Sequence, residues 1–85
     1  MARYKLLFKK SISKDLRSIP KNDVRRILRR IDDLAENPRG SGCKKLAGRH
    51  YYRARLGVYR ILYEIIDDQL VVHVIKVGQR ASIYR

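Results

Sequence analysis

The sequence predicts an α+β fold of order β-α-α-β-β-β, a small antiparallel-meander sheet with two N-terminal helices packed on one face. Two observations predict it. Apolar residues recur at helical spacing through the first half, and the second half is dense in Val, Ile, Leu and Tyr, with short turn signals between the runs. A third observation bounds it: 85 residues, 45% of them hydrophobic, suit one small core and neither two cores nor a disordered basic tail. A single domain spanning residues 1–85 is expected.

Each element has a local cause. Tyr4, Leu6 and Phe8 alternate with Arg3, Lys5 and Lys9, the pattern of a first strand. Ile12, Leu16 and Ile19 mark a short helix that Pro20 ends or re-aims. Val24, Ile27, Leu28, Ile31, Leu34 and Ala35 form the stripe of a second helix, stopped by Asn37-Pro38 and Gly40-Ser41-Gly42. Its other faces carry Arg25, Arg26, Arg29 and Arg30, partly offset by Asp32, Asp33 and Glu36, and read as a solvated surface. Tyr51–Leu56, Tyr59–Ile66 and Leu70–Val77 are the strands of the meander.

Turn chemistry sets the expected register. Gly57-Val58 suits a two-residue type II′ turn, which needs Gly first. It places Leu56 opposite Tyr59, Ala54 opposite Ile61 and Tyr52 opposite Tyr63 on one face. Arg55 then faces Arg60 on the other, and Arg53 faces Leu62, diagonal to Arg60. A tight turn at Asp67-Asp68 would pair Ile65 with Leu70 and Tyr63 with Val72, setting His73 opposite Leu62 and Ile75 opposite Arg60. Like charges directly opposite on a sheet are destabilising, so clustered arginines point to a bound phosphate that each planar guanidinium can clasp.

Charge agrees with this. Lys+Arg number 21 against 8 Asp+Glu, a formal net charge of +13. Solubility needs only ~2–8 on a small domain. A polyanionic partner is expected, nucleic acid foremost. No apolar run approaches a membrane span, no leader pattern opens the chain, and Cys43 is the lone cysteine. No membrane, metal or cofactor is expected, and the cytoplasm is the expected compartment.

The chain resembles the RelE branch of the RelE/ParE toxin superfamily over essentially its whole length. The carriers are Lys45-Leu46-Ala47-Gly48, then Tyr52-Arg53-Ala54-Arg55-Leu56-Gly57-Val58-Tyr59-Arg60, Ile61-Leu62-Tyr63-Glu64-Ile65, and Val77-Gly78-Gln79-Arg80 through Tyr84. The resemblance implies the toxin of a type II toxin–antitoxin pair with a cognate antitoxin, RelB-like or of another class. It implies metal-independent cleavage of messenger RNA, typically in the ribosome, by attack of the ribose 2′-OH on the adjacent phosphate. It also implies that Arg53, Arg55, Arg60, Arg80 and Tyr84 carry the activity.

Physical chemistry sorts these roles. Arg60 and Arg55 suit the developing phosphorane charge, and Arg80 the leaving oxygen. Relatives often place lysine where Arg53 and Arg55 stand. Deprotonating arginine at pH 7 costs at least ~7 kcal/mol, against about 4 kcal/mol for tyrosine, so Tyr84 is the expected base or 2′-OH orienter, with His50 behind it. Lys44, Lys45, Arg49 and Lys76 are expected phosphate contacts, and Tyr51 is placed to stack on a base. His73 fills the sheet face, and Cys43 sits incidentally in a Gly-rich loop. Two other functions fit the same patch: a ParE-like gyrase poison, against which Arg60, Arg80 and Tyr84 weigh, and a non-catalytic nucleic-acid-binding module.

Overall fold

The computed structural model describes residues 3–46 and 50–79. In chain order they form β1 (Lys5–Phe8), α1 (Ile12–Arg17), α2 (Lys21–Glu36), β2 (Cys43–Lys45), β3 (Tyr51–Leu56), β4 (Tyr59–Ile66), a 3₁₀ turn (Asp67–Gln69) and β5 (Val71–Gln79). Among the described residues the strands make one sheet, ordered β1-β5-β4-β3-β2. β1 runs parallel to β5, and the other neighbours are antiparallel. The α+β plan with both helices on one face is as expected. One edge strand, β2, joins it.

Both helices lie on the apolar face. α2 begins directly after Pro20, whose fixed φ of −55° suits a helix entry. Its Ile27, Ile31, Leu34 and Ala35 are fully buried at 3- and 4-residue spacing. They meet Ala54 of β3, Ile61 and Tyr63 of β4, and Val72, Val74 and Val77 of β5, with Ile12 of α1 closing one end. Tyr59 and Tyr63 are buried there and Tyr52 packs against them, as the alternation requires. The Tyr63 hydroxyl donates to the Pro38 carbonyl at 2.5 Å, which satisfies a polar group deep in the core.

The β3–β4 hairpin has the expected register, Leu56 opposite Tyr59 and Arg55 opposite Arg60. Gly57 takes φ +58° at its turn, a conformation that L side chains rarely adopt. The β4–β5 register differs. The connection is not a tight turn at Asp67-Asp68 but a 3₁₀ turn closed by Leu70 in the left-handed region. Ile65 therefore pairs with Val72, Tyr63 with Val74 and Glu64 with His73. An irregularity follows: Leu62 pairs with Lys76, so Ile75 is the extra residue of a bulge. Gly78, not Ile75, stands opposite Arg60, and His73 lies opposite Glu64 rather than Leu62.

The bulge and the sheet edge have their own supports. β1 ends opposite Val74, and beyond it the Val77 N–H donates to Asp15 Oδ2 of α1 at 3.2 Å. At the far rim, Arg39 donates to both Asp67 oxygens at 3.0 and 2.7 Å, and Tyr4 donates to Asp67 at 2.8 Å. That rim ties the loop after α2 to the connection between β4 and β5.

Candidate nucleic-acid interface

The face of the sheet opposite the helices carries a cluster of charged side chains, with Leu7, Leu62, Ile66 and Val71 among them. Side chains alternate along each strand, so the register fixes its rows. One row holds Arg55 and Arg60, with Gly78 beside them. The next holds Lys44, Arg53, Leu62 and Lys76, and a third Tyr51, Glu64 and His73. Directly opposite residues have Cβ atoms about 4.5–5.5 Å apart. Arg53, Arg55 and Arg60 are thus neighbours.

Arg60 is the most constrained of them. It is 7% exposed, and its Nη1 donates to the carbonyls of Gly57 at 3.2 Å and Tyr59 at 3.0 Å. Gly78 opposite has no side chain to crowd it. Its Nε is buried and has no hydrogen-bond partner among the described residues. A buried donor left so costs about 1–3 kcal/mol, which an anionic oxygen would recover. Arg55 is exposed and Arg53 half-buried.

Other expected residues divide. Lys44 and Lys76 lie on the open face with the arginines, and so does Tyr51. Lys45 lies opposite Tyr52, on the helix side and exposed, apart from that cluster. His50 is exposed just before β3. Arg49, Arg80 and Tyr84 lie outside the described residues.

Several residues have roles that the sequence did not announce. Arg30, expected on a solvated surface, is half-buried; it donates to the Ser41 carbonyl at 3.0 Å and the Arg55 carbonyl at 3.4 Å. It also approaches Cys43 Sγ at 3.5 Å, so Cys43 is not an incidental loop residue but part of an edge strand. Gly42, at φ +81°, lets the chain pass beneath it; a Cβ there would lie 3.2 Å from the Arg30 Nη2. His73 does more than fill the sheet face. Its Nδ1 is 2.9 Å from Glu64 Oε1, in a cross-strand pair visible only once the true register is known.

Two tyrosines of the helix side, Tyr59 and Tyr63, are held protonated. Acceptance by the Asp23 carboxylate, 2.7 Å away, raises the Tyr59 hydroxyl above its ordinary value, and burial pushes Tyr63 far up. Neither is a base at neutral pH. No group of three or more His, Cys, Asp or Glu comes together to hold a metal among the described residues. None of their helices is long and apolar enough to cross a membrane.

A five-stranded sheet backed by two helices, with arginines gathered on its bare face, defines a small basic toxin of the RelE/ParE kind. The family model for the ParE toxin of type II toxin–antitoxin systems matches residues 6–84, and the chain belongs to that family. Toxin RelE3 of Methanocaldococcus jannaschii is 36% identical over 86 residues, covering 94% of each chain. Toxin RelG of Mycobacterium tuberculosis is 33% identical, covering 96% of this chain and 97% of its own. The RelE–RelB complex of Pyrococcus horikoshii OT3 contains a chain with TM-score 0.82 and 33% identity, covering 96% of this chain and 99% of that one. The chain is a RelE-type toxin.

Proposed function

We propose that this toxin is an endoribonuclease that cuts messenger RNA on the ribosome, in the cytoplasm, and so stops translation. One observation carries the proposal: Arg55 directly opposite Arg60, with Arg53 diagonal, on a bare face where the Arg60 Nε is buried without a partner among the described residues. Such an arrangement suits a phosphate whose charge grows in the transition state. In the proposed step the 2′-oxygen attacks phosphorus, the bond to the 5′-oxygen breaks, and a cyclic phosphate and a 5′-OH result. Arg60 and Arg55 stabilise the phosphorane, and Lys44 and Lys76 hold flanking phosphates. Tyr84, placed at the site by the family resemblance and easier to deprotonate than arginine, takes the 2′-OH proton or orients that group, and Arg80 gives the leaving 5′-oxygen its proton.

The partner that silences the toxin is a cognate antitoxin. Solved relatives are RelE–RelB complexes. An apolar strip along the helices supports such docking: Phe8, Leu16, Val24 and Leu28 line two shallow grooves edged by Lys9, Arg17, Lys21 and Arg25. An amphipathic segment with acidic flanks fits it.

The test is a map of RNA 5′ ends after brief induction. Wild type should create new ends and arrest growth. Arg60→Ala should cut about 10²–10³-fold less while remaining folded at the assay temperature by circular dichroism. Intact messages beside broken DNA would instead support the gyrase reading, and undiminished cutting by Arg60→Ala would remove the assigned site.

A further inference from the structure

We infer that the row Tyr51–Glu64–His73 is a nucleobase subsite that selects guanine in the bound RNA, an inference that rests on the RNA-cutting reading above. The three side chains stand side by side on β3, β4 and β5, on the bare face. Their row is two residues along β3 and β4 from the Arg53 row, about 6.8 Å away, and four from Arg55 and Arg60, about 13.6 Å away. On β5 the bulge makes the first step three residues. A strand of RNA whose scissile phosphate lies on Arg55 and Arg60, and which runs on past Arg53, therefore carries the base of a flanking nucleotide over this row.

The chemistry of the row suits a base and not a phosphate. Glu64 is a carboxylate on a face whose other charged side chains include Lys44, Arg53, Arg55, Arg60 and Lys76, and it would repel a phosphate. It is also held in place: its Oε1 is 2.9 Å from His73 Nδ1, and the two side chains are 30% and 29% exposed. With Nδ1–H donating to Oε1, Oε2 remains as an acceptor and Nε2 points away from the pair. Tyr51, directly opposite Glu64 on the other side, offers the ring on which an unstacked base lies flat. A base lying on that ring presents its edge to the next strand, where Glu64 stands.

Edge chemistry then chooses the base. An ionised carboxylate only accepts hydrogen bonds. Guanine presents adjacent N1–H and N2–H₂ donors on its Watson–Crick edge, so both point at the carboxylate. Adenine offers one donor group beside an acceptor, uracil one donor between two acceptors, and cytosine one donor group beside two acceptors, so none of them presents two adjacent donors.

The test uses short uridine-rich RNAs, 2′-O-methylated so that they bind without being cut, each with one central guanine, adenine or inosine. Fluorescence anisotropy with the wild-type toxin should give guanine about tenfold tighter binding than adenine or inosine, the last lacking only the 2-amino group. Glu64→Gln retains a carbonyl oxygen to accept from His73 and adds an amide donor. It should therefore move the preference from guanine towards adenine, which a merely structural partner of His73 would not do. Equal wild-type affinities for the three RNAs overturn the subsite, and that comparison needs no variant to fold. The 5′-end map separates the two readings. New ends without enrichment of guanine at any fixed offset would leave the nuclease standing and remove the subsite, whereas guanine-selective binding without new ends would do the reverse.

Discussion

On the helix-covered face of the sheet, Ala54, Ile61, Tyr63, Val72 and Val74 are completely buried against α2 and α1. On the other face the same strands carry Arg53, Arg55, Arg60, Glu64, His73 and Lys76. The first set is chosen for volume and shape, and each member supports its neighbours. The second is chosen against the stability of the isolated sheet, because Arg55 and Arg60 repel each other across the hairpin. Residues that break a local rule without a compensating contact mark where function has been placed. The difference also separates what each face should do when altered.

The largest expected effect on stability lies on the covered face. Ile31→Ala should lower unfolding stability by about 2–5 kcal/mol in urea titrations, with no change in the salt dependence of RNA binding by the folded fraction. A loss below 1 kcal/mol would mean that α2 is not the main lid of the core. On the bare face the signs should differ. Arg55→Ala should leave stability unchanged or raise it by a few tenths of a kcal/mol, while the slope of log affinity against log salt falls by about one. A clear loss of stability with an unchanged slope would abolish the contrast between the faces.

The smallest effect belongs to neither face. The Arg39 guanidinium holds the Asp67 carboxyl below its ordinary range. A carboxylate with a depressed folded-state pKa contributes stability that is fully present above the unfolded value, near ~3.9, and fades as pH falls through the folded one. Asp67→Asn should therefore flatten the acid limb of a stability-against-pH curve and leave RNA binding at neutral pH alone. An unchanged limb would show that the rim bond does not persist in solution.

Much of this was legible in the amino-acid order, for reasons that differ along the chain. The hairpin register followed from Gly57-Val58, because a two-residue turn with a leading glycine leaves little freedom. The pairing of Arg55 with Arg60 came with it. The β4–β5 register was not legible in the same way, since Leu70 adopts φ 53° with none of the residue types that normally do so. One signal was available: Val72, Val74 and Val77 break strict alternation, as a bulge requires. The strand Cys43–Lys45 had no alternating pattern to show, and it is held by its pairing with β3 and the reach of Arg30 from α2. The Glu64–His73 pair was hidden behind the register that conceals it. Arg49, Arg80 and Tyr84, named from family resemblance, lie outside the described residues.

The extra residue at Ile75 sets the phase of the last strand. Upstream of it Val74 points to the helices, and downstream Val77 does so as well, because one added position resets the phase between them. Were the bulge ironed out at unchanged length, strict alternation would turn Lys76 inward and put Val77 in water. Deleting Ile75 itself would instead leave a regular strand with Val77 still inward. Homologous chains should therefore tolerate loss of the residue at Ile75 itself, while a deletion at Val74 or Val77 would cost a buried side chain.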